Sequence, residues 1–167
     1  PKSDGVQVLE AYKARGFRVV KETPTAWHTQ RKMTGKGEIE IIKASESDKK
    51  KIPDLYEEIF GTKPDFDIND SSLSILVAKH NGLVGFSILK PGYSSTNKQR
   101  EGVNYLLAFG IKSDSRRQGI GKELLAVVLK TYQKIYLKVD RKWNHGEGAK
   151  KFYEDSDFFV YRASPDH

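Results

Sequence analysis

From residue 37 onward, apolar and polar positions fall into short alternating runs and longer helical stripes. Glu38, Ile39, Glu40 and Ile41 alternate as a half-buried strand does. Ser45, with Asp48 three residues on, supplies an N-cap for a helix over 52–60, where Ile52, Leu55, Tyr56, Ile59 and Phe60 form the apolar stripe and Gly61 the stop. Residues 62–72, with their aspartates and a proline, read as a loop. Apolar runs over 73–78 and 83–89 flank His80-Asn81-Gly82, and Asn-Gly between two such runs predicts a tight hairpin.

The polar stretch 94–102 reads as a loop, and the nearly all-apolar run 104–111 as a central strand covered on both faces. A long amphipathic helix is expected over 119–134, with Ile120, Leu124, Val127 and Val128 on one stripe. A strand over 135–139, a short helix over 148–155 and a last strand over 158–161 complete the pattern. The order β, α, β, β, β, α, β, α, β mixes hairpins with one crossover. It predicts an α/β or α+β fold, a mixed sheet flanked by helices.

The 167 residues suit one ordinary domain. Cysteine is absent, which removes disulfide frameworks and thiolate chemistry, and the four widely spaced histidines give no metal-ligand spacing. No metal is therefore expected. No apolar run approaches the roughly 18 residues that would span a bilayer, so no membrane partner is expected and a soluble cytoplasmic domain is. The net charge of +7 is uneven: residues 1–36 hold eight Lys/Arg against three acids, leaving only +2 for the rest. No recognised nucleic-acid motif accompanies that basic segment, so a nucleic-acid partner is not expected either.

The most informative stretch runs from Phe109 to Lys122. A buried strand ends, a polar turn follows, and Gly119 and Gly121 open an amphipathic helix. The first amides of a helix lack intrahelical acceptors and sit at the positive end of its dipole, so they suit phosphate oxygens. Arg116, Arg117 and Lys122 add charge. The stretch is not a P-loop, which would require glycine at 116 and Ser/Thr at 123, where Arg116 and Glu123 stand. Nor is it a dinucleotide fingerprint, because Leu124 occupies the third glycine position.

Arg116-x-x-Gly119-x-Gly121 after a buried strand resembles the acetyl-CoA signature of the GNAT N-acetyltransferases. Val139, Asn144, Ala149, Phe152, Tyr153 and Phe158 resemble that family's second pattern, in which a strand leads to an Asn and then to a helix bearing Ala-x-x-Phe-Tyr. The resemblance spans 38–161 and implies the GNAT acyl-CoA N-acyltransferase fold, with two central strands splayed near 109 and 137. It implies acetyl-CoA as donor, with main-chain groups of Phe109 and Ile111 pairing the pantetheine arm. The stretch Arg116, Arg117, Gln118, Gly119, Ile120, Gly121 and Lys122 would hold the pyrophosphate, and Asn144 would touch the cofactor arm. Tyr153 would donate a proton to the departing CoA thiolate. The family's catalytic glutamate has no clear counterpart: its place falls near Leu107, and Glu101 and Asn104 are the nearest polar residues. Glu101 is the candidate base, with a water relay or a base from another loop as equal alternatives. Asp157 replaces the glycine usual before Phe158.

Residues 8–20 also match 149–161 at a constant offset, pairing Tyr12 with Tyr153, Phe17 with Phe158 and Val19 with Val160. Residues 1–36 therefore read as a second copy of the family's C-terminal helix and hairpin, placed before an acetyltransferase domain at 37–167. Such a segment can complete this chain's sheet, complete a neighbour's sheet in a homodimer by strand exchange, or belong to a preceding domain. Which tyrosine, 12 or 153, faces the thioester stays open at this level. The expected function is acetyl transfer from acetyl-CoA to a primary amine of a small molecule or peptide. The alternative is a GNAT-fold protein that binds acyl-CoA or a protein partner with little or no turnover.

Overall fold

A computed structural model describes residues 30–34, 37–93, 99–132, 134–138, 146–156 and 158. Strands β1 (Gln30–Thr34), β2 (Gly37–Lys43), β3 (Ser74–Lys79), β4 (Leu83–Tyr93), β5 (Gln99–Ile111) and β6 (Ile135–Tyr136) form one sheet, neighbours in chain order. Helices α1 (Glu46–Phe60), α2 (Ile120–Thr131) and α3 (Gly146–Glu154) accompany it. β1 to β5 pair antiparallel in succession, and β6 alone joins in parallel, after the α2 crossover. This is the mixed α+β sheet expected from the sequence.

Local chemistry sets the boundaries. Ser45 and Asp48 form a reciprocal capping box: the Ser45 amide donates to Asp48 Oδ2 at 3.0 Å and the Asp48 amide to Ser45 Oγ at 3.1 Å. α1 therefore starts directly after Ser45, six residues before the apolar stripe alone would place it, and Pro53 sits within it. In the β3–β4 hairpin, Asn81 and Gly82 both take positive φ, and His80 N–H closes the turn on Gly82 O at 2.9 Å. The expected loop at 94–102 is shorter, because β4 continues to Tyr93 and β5 begins at Gln99, with Tyr93 paired to Gln99. Residues 94–98 lie outside the described set. α2 ends at Thr131 rather than 134, where Tyr132 turns to extended backbone. Of the strand expected at 135–139, only Ile135 and Tyr136 pair with β5 among the described residues. Of the strand expected at 158–161, only Phe158 is described, outside any strand.

Two cores lie on opposite faces of the sheet. α1 packs Ile52, Leu55 and Ile59 against Val77, Phe86 and Ile88, while α2 packs Leu124, Leu125 and Val128 against Ile39, Ile41 and Leu106. Burying such side chains stabilises by about 1.5–3 kcal/mol each. In β5 the register steps from Ala108 opposite Ile88 to Leu106 opposite Leu89, so Leu107 is an extra residue. This bulge puts Leu107 and Ala108 together toward α1, and returns Phe109 and Ile111 to the α2 face. Gly110 permits the close approach of α1: a Cβ there would lie 3.1 Å from Ile59 and 3.3 Å from Phe60.

Candidate active site

Where β5 ends, a 3₁₀ turn (Ser113–Ser115) leads into α2. Arg117 (φ 60°) and Gly119 (φ 79°) both adopt left-handed backbone, which lifts the chain round to start the helix. The first bond across the turn runs from Glu123 N–H to Gly119 O at 3.1 Å. Gly119 offers no side-chain cap, so helix geometry leaves the amides of Ile120, Gly121 and Lys122 without intrahelical acceptors.

A cavity of about 660 Å³ opens at these amides. Its walls include Phe109, Gly110 and Ile111 from β5, then Ser115, Arg116, Arg117, Gly119, Gly121 and Lys122 from the turn and helix start. Gly148, Ala149, Phe152 and Tyr153 of α3 form the third wall, and Ile59 and Phe60 the α1 end. A Cβ on Gly121 would sit 3.5 Å from both Ile111 Cγ1 and the Phe152 ring, so the glycine keeps the floor between them open. Arg116 Nε donates to Ile111 O at 2.9 Å, holding the turn against the strand end. The residues fit a diphosphate: amides at a helix start, three cations beside them, and an apolar trough leading away along β5.

Tyr153 is buried, its ring 6.1 Å from Phe109, 5.3 Å from Phe152 and 5.1 Å from Phe158. The Tyr153 carbonyl accepts from the amides of Ser156 and Phe158 at 3.0 and 3.1 Å, which turns Phe158 inward without the usual glycine. The recorded register joins Asn104 to Ile135 and Tyr105 to Tyr136, with Asn104 clamping Lys134 O through both its amide and Nδ2.

The sequence-named residues thus meet in part. Phe109, Ile111, Arg116, Arg117, Gly119, Gly121, Lys122 and Tyr153 share the cavity. Ile120 buries its side chain in the core and can contribute only its amide. Gln118 turns its side chain away toward Asp114 O (3.4 Å) and does not line the cavity. Glu101 stands eight positions before Phe109 on β5, and its side chain lies outside the described residues. Asn144 and Tyr12 lie outside the described residues. Ile59, Phe60 and Ser115 were not foreseen as cavity residues; only packing between distant elements brings the first two there. Among the described residues no group of three His, Asp or Glu could hold a metal ion, and no helix is long and apolar enough to cross a membrane.

The sequence profile of the acetyltransferase (GNAT) family matches residues 39–158, well over half of the chain and the whole of this cavity. The chain belongs to the acetyltransferase (GNAT) family. It is an N-acetyltransferase whose donor is acetyl-CoA. No curated protein matches the sequence closely enough to count as a relative. Among solved structures, the chain is similar to the ribosomal-protein-alanine N-acetyltransferase of Brucella melitensis biovar Abortus 2308. That likeness has 19% identity and a TM-score of 0.54 over 77% of this chain and 96% of that one. It is similar to AAC(6')-Iy in complex with a CoA bisubstrate analogue, at 14% identity and a TM-score of 0.61 over 77% and 96%. It is also similar to Arabidopsis thaliana NAA60 in complex with acetyl-CoA, at 21% identity and a TM-score of 0.56 over 72% and 86%. At these identities the likenesses establish the GNAT fold.

Proposed function

We propose that this GNAT protein moves the acetyl group directly from acetyl-CoA to a primary amine, with Tyr153 as general acid. The amine nitrogen attacks the thioester carbonyl, the new N–C bond forms, and the C–S bond breaks. The leaving thiolate takes the Tyr153 hydroxyl proton, and the amine gives up its own to water. The single observation that carries this reading is the arrangement of one cavity. Free amides for a diphosphate lie at one wall, and the buried Tyr153 stands against Phe109 at another.

Among the described residues β6 pairs with β5 at Ile135 and Tyr136, and the pantetheine arm would lie alongside the later part of β5 as a strand substitute. Two of the relatives carry CoA chemistry in their own complexes: NAA60 is described with acetyl-CoA and AAC(6')-Iy with a CoA bisubstrate analogue. Among the described residues the cavity walls hold no carboxylate and no histidine. A water relay fits as the route by which the amine loses its proton before attack.

Tyr153→Phe keeps the ring and removes the proton. It should lower kcat by about a hundredfold with the acetyl-CoA Kd unchanged. An unaltered kcat overturns the role of Tyr153.

Thiol release from acetyl-CoA across a panel of amines measures this turnover directly. The pairing of β1 with β2 supports reading residues 1–36 as a sheet-completing segment, within one chain or exchanged between two.

A further inference from the structure

One aromatic ring, that of Phe60, stands in the cavity wall at the end of α1. Phe60 is the last residue of that helix, and Gly61 stops it there. The left-handed backbone of Gly61 (φ 79°) returns its amide to Glu57 O at 2.7 Å. The ring is then held from several sides. Tyr56, one turn back, packs on it at 4.6 Å. Phe86 of β4, fully buried, lies 6.2 Å from Phe60 and stacks on Tyr56 at 5.9 Å. Toward β5, the ring tip Cζ comes within 3.3 Å of where a Gly110 Cβ would stand, so it rests against bare backbone. A side chain packed this closely does not swing aside cheaply. Phe60 is a fixed wall.

Charge is divided along the cavity. Arg116, Arg117 and Lys122 all belong to the turn and the start of α2. Ile59, Phe60, Phe109 and Phe152, on the other walls, are hydrocarbon. A thioester held by its diphosphate at the helix start, with its arm along β5, turns its acyl carbons toward this apolar part. Past the thioester carbonyl a simple acyl chain has no polar atom, so only space discriminates its length. Each methylene that finds room gains from burial, and each that meets packed carbon costs free energy.

We propose that Phe60 is the residue that sets acyl length, closing the cavity to donors with chains longer than acetyl. Trimming its ring should open the cavity toward Tyr56 and Phe86 and admit medium-chain acyl groups. This rests on the transferase reading above and names what selects its donor.

The test titrates the full chain calorimetrically with acetyl-CoA and with hexanoyl-CoA, which differ only in the acyl tail. The wild-type Kd for hexanoyl-CoA should lie about tenfold above that for acetyl-CoA. Phe60→Ala should lower this ratio about tenfold, and Phe60→Leu, which keeps more of the packing, about threefold. Thiol release with butylamine as acceptor should show the same order in kcat/KM for the two donors. A wild-type protein that binds both thioesters equally overturns the proposal. So does an unchanged ratio in Phe60→Ala, or in Phe60→Leu should the alanine variant not fold. A Kd ratio that shifts as expected, with no thiol released by any of the proteins, would support the role of Phe60 and strike the transferase reading. The two failures are therefore distinguishable.

Discussion

The Nε of Arg116 lies 2.9 Å from the carbonyl oxygen of Ile111, five residues back at the end of β5. The side chain most readily assigned to phosphate therefore also fastens the turn to the strand that borders the cavity. Lysine has a charge but no Nε in that position. Arg116→Lys should weaken acetyl-CoA binding about tenfold, and Arg116→Ala at least as much, with little change in melting temperature. Calorimetric titration with acetyl-CoA checks the affinity, and thermal melts the fold.

Gly85 tests the same strand from the other side. A Cβ there would collide with the Ile111 side chain and come within 2.9 Å of Gly110 O. Gly85→Ala should push Ile111 into the cavity. The expected cost is about 1–3 kcal/mol of stability, read by denaturant melts, together with a higher Kd for acetyl-CoA.

Gly121 separates space from charge. Its Cβ position makes only ordinary 3.5 Å contacts, so Gly121→Ala should fold normally and weaken the donor modestly. Gly121→Glu places a carboxylate where the diphosphate is expected and should abolish acetyl-CoA binding with the protein still folded. Retained binding by the Glu variant would contradict the diphosphate assignment.

Asp48 gives a pH signature. Burial opposes its ionised form, but hydrogen bonds from Ser45 and the Lys79 ammonium outweigh this and hold its carboxyl below the ordinary aspartate range. A depressed folded pKa means that the stabilisation is complete above the unfolded value, about 3.9. It is lost as pH falls from there through the folded value. Asp48→Ala should cost about 1 kcal/mol at pH 7 through the lost cap. The gap to wild type should shrink as pH is lowered below about 4, in urea melts at stepped pH.

Removing residues 1–34 uncovers the β2 edge that β1 pairs. If this costs about 2 kcal/mol, the melting temperature should fall by roughly 4–8 °C, and light scattering should show association through the exposed edge. An unchanged melt and mass would remove the sheet-completion reading.

Legibility in the sequence followed how local each determinant was. Asn81-Gly82 announced its hairpin, and Ser45 with Asp48 a cap, because both act within four residues. The glycines at 119 and 121 marked the helix start for the same reason. The extent of β5 was missed, since Gln99 joins the sheet through Tyr93 opposite it rather than through any apolar run of its own. Among the described residues the strand expected at 135–139 pairs at Ile135 and Tyr136, because alternation says nothing of how far a neighbouring strand stays in register. Ile59 and Phe60 enter the cavity only because Gly110, fifty positions further on, lets α1 settle close to the sheet.

Two ladder rungs, Asn104 with Ile135 and Tyr105 with Tyr136, are what fasten β6 to the sheet among the described residues. A donor arm lying along β5 beyond them would act as a splint, adding its own amides to the sheet. Amide protons along the far half of β5 would then exchange more slowly in the loaded enzyme. Part of the rigidity of this catalyst would reside in the metabolite it consumes, and would lapse each time the spent thiol departs.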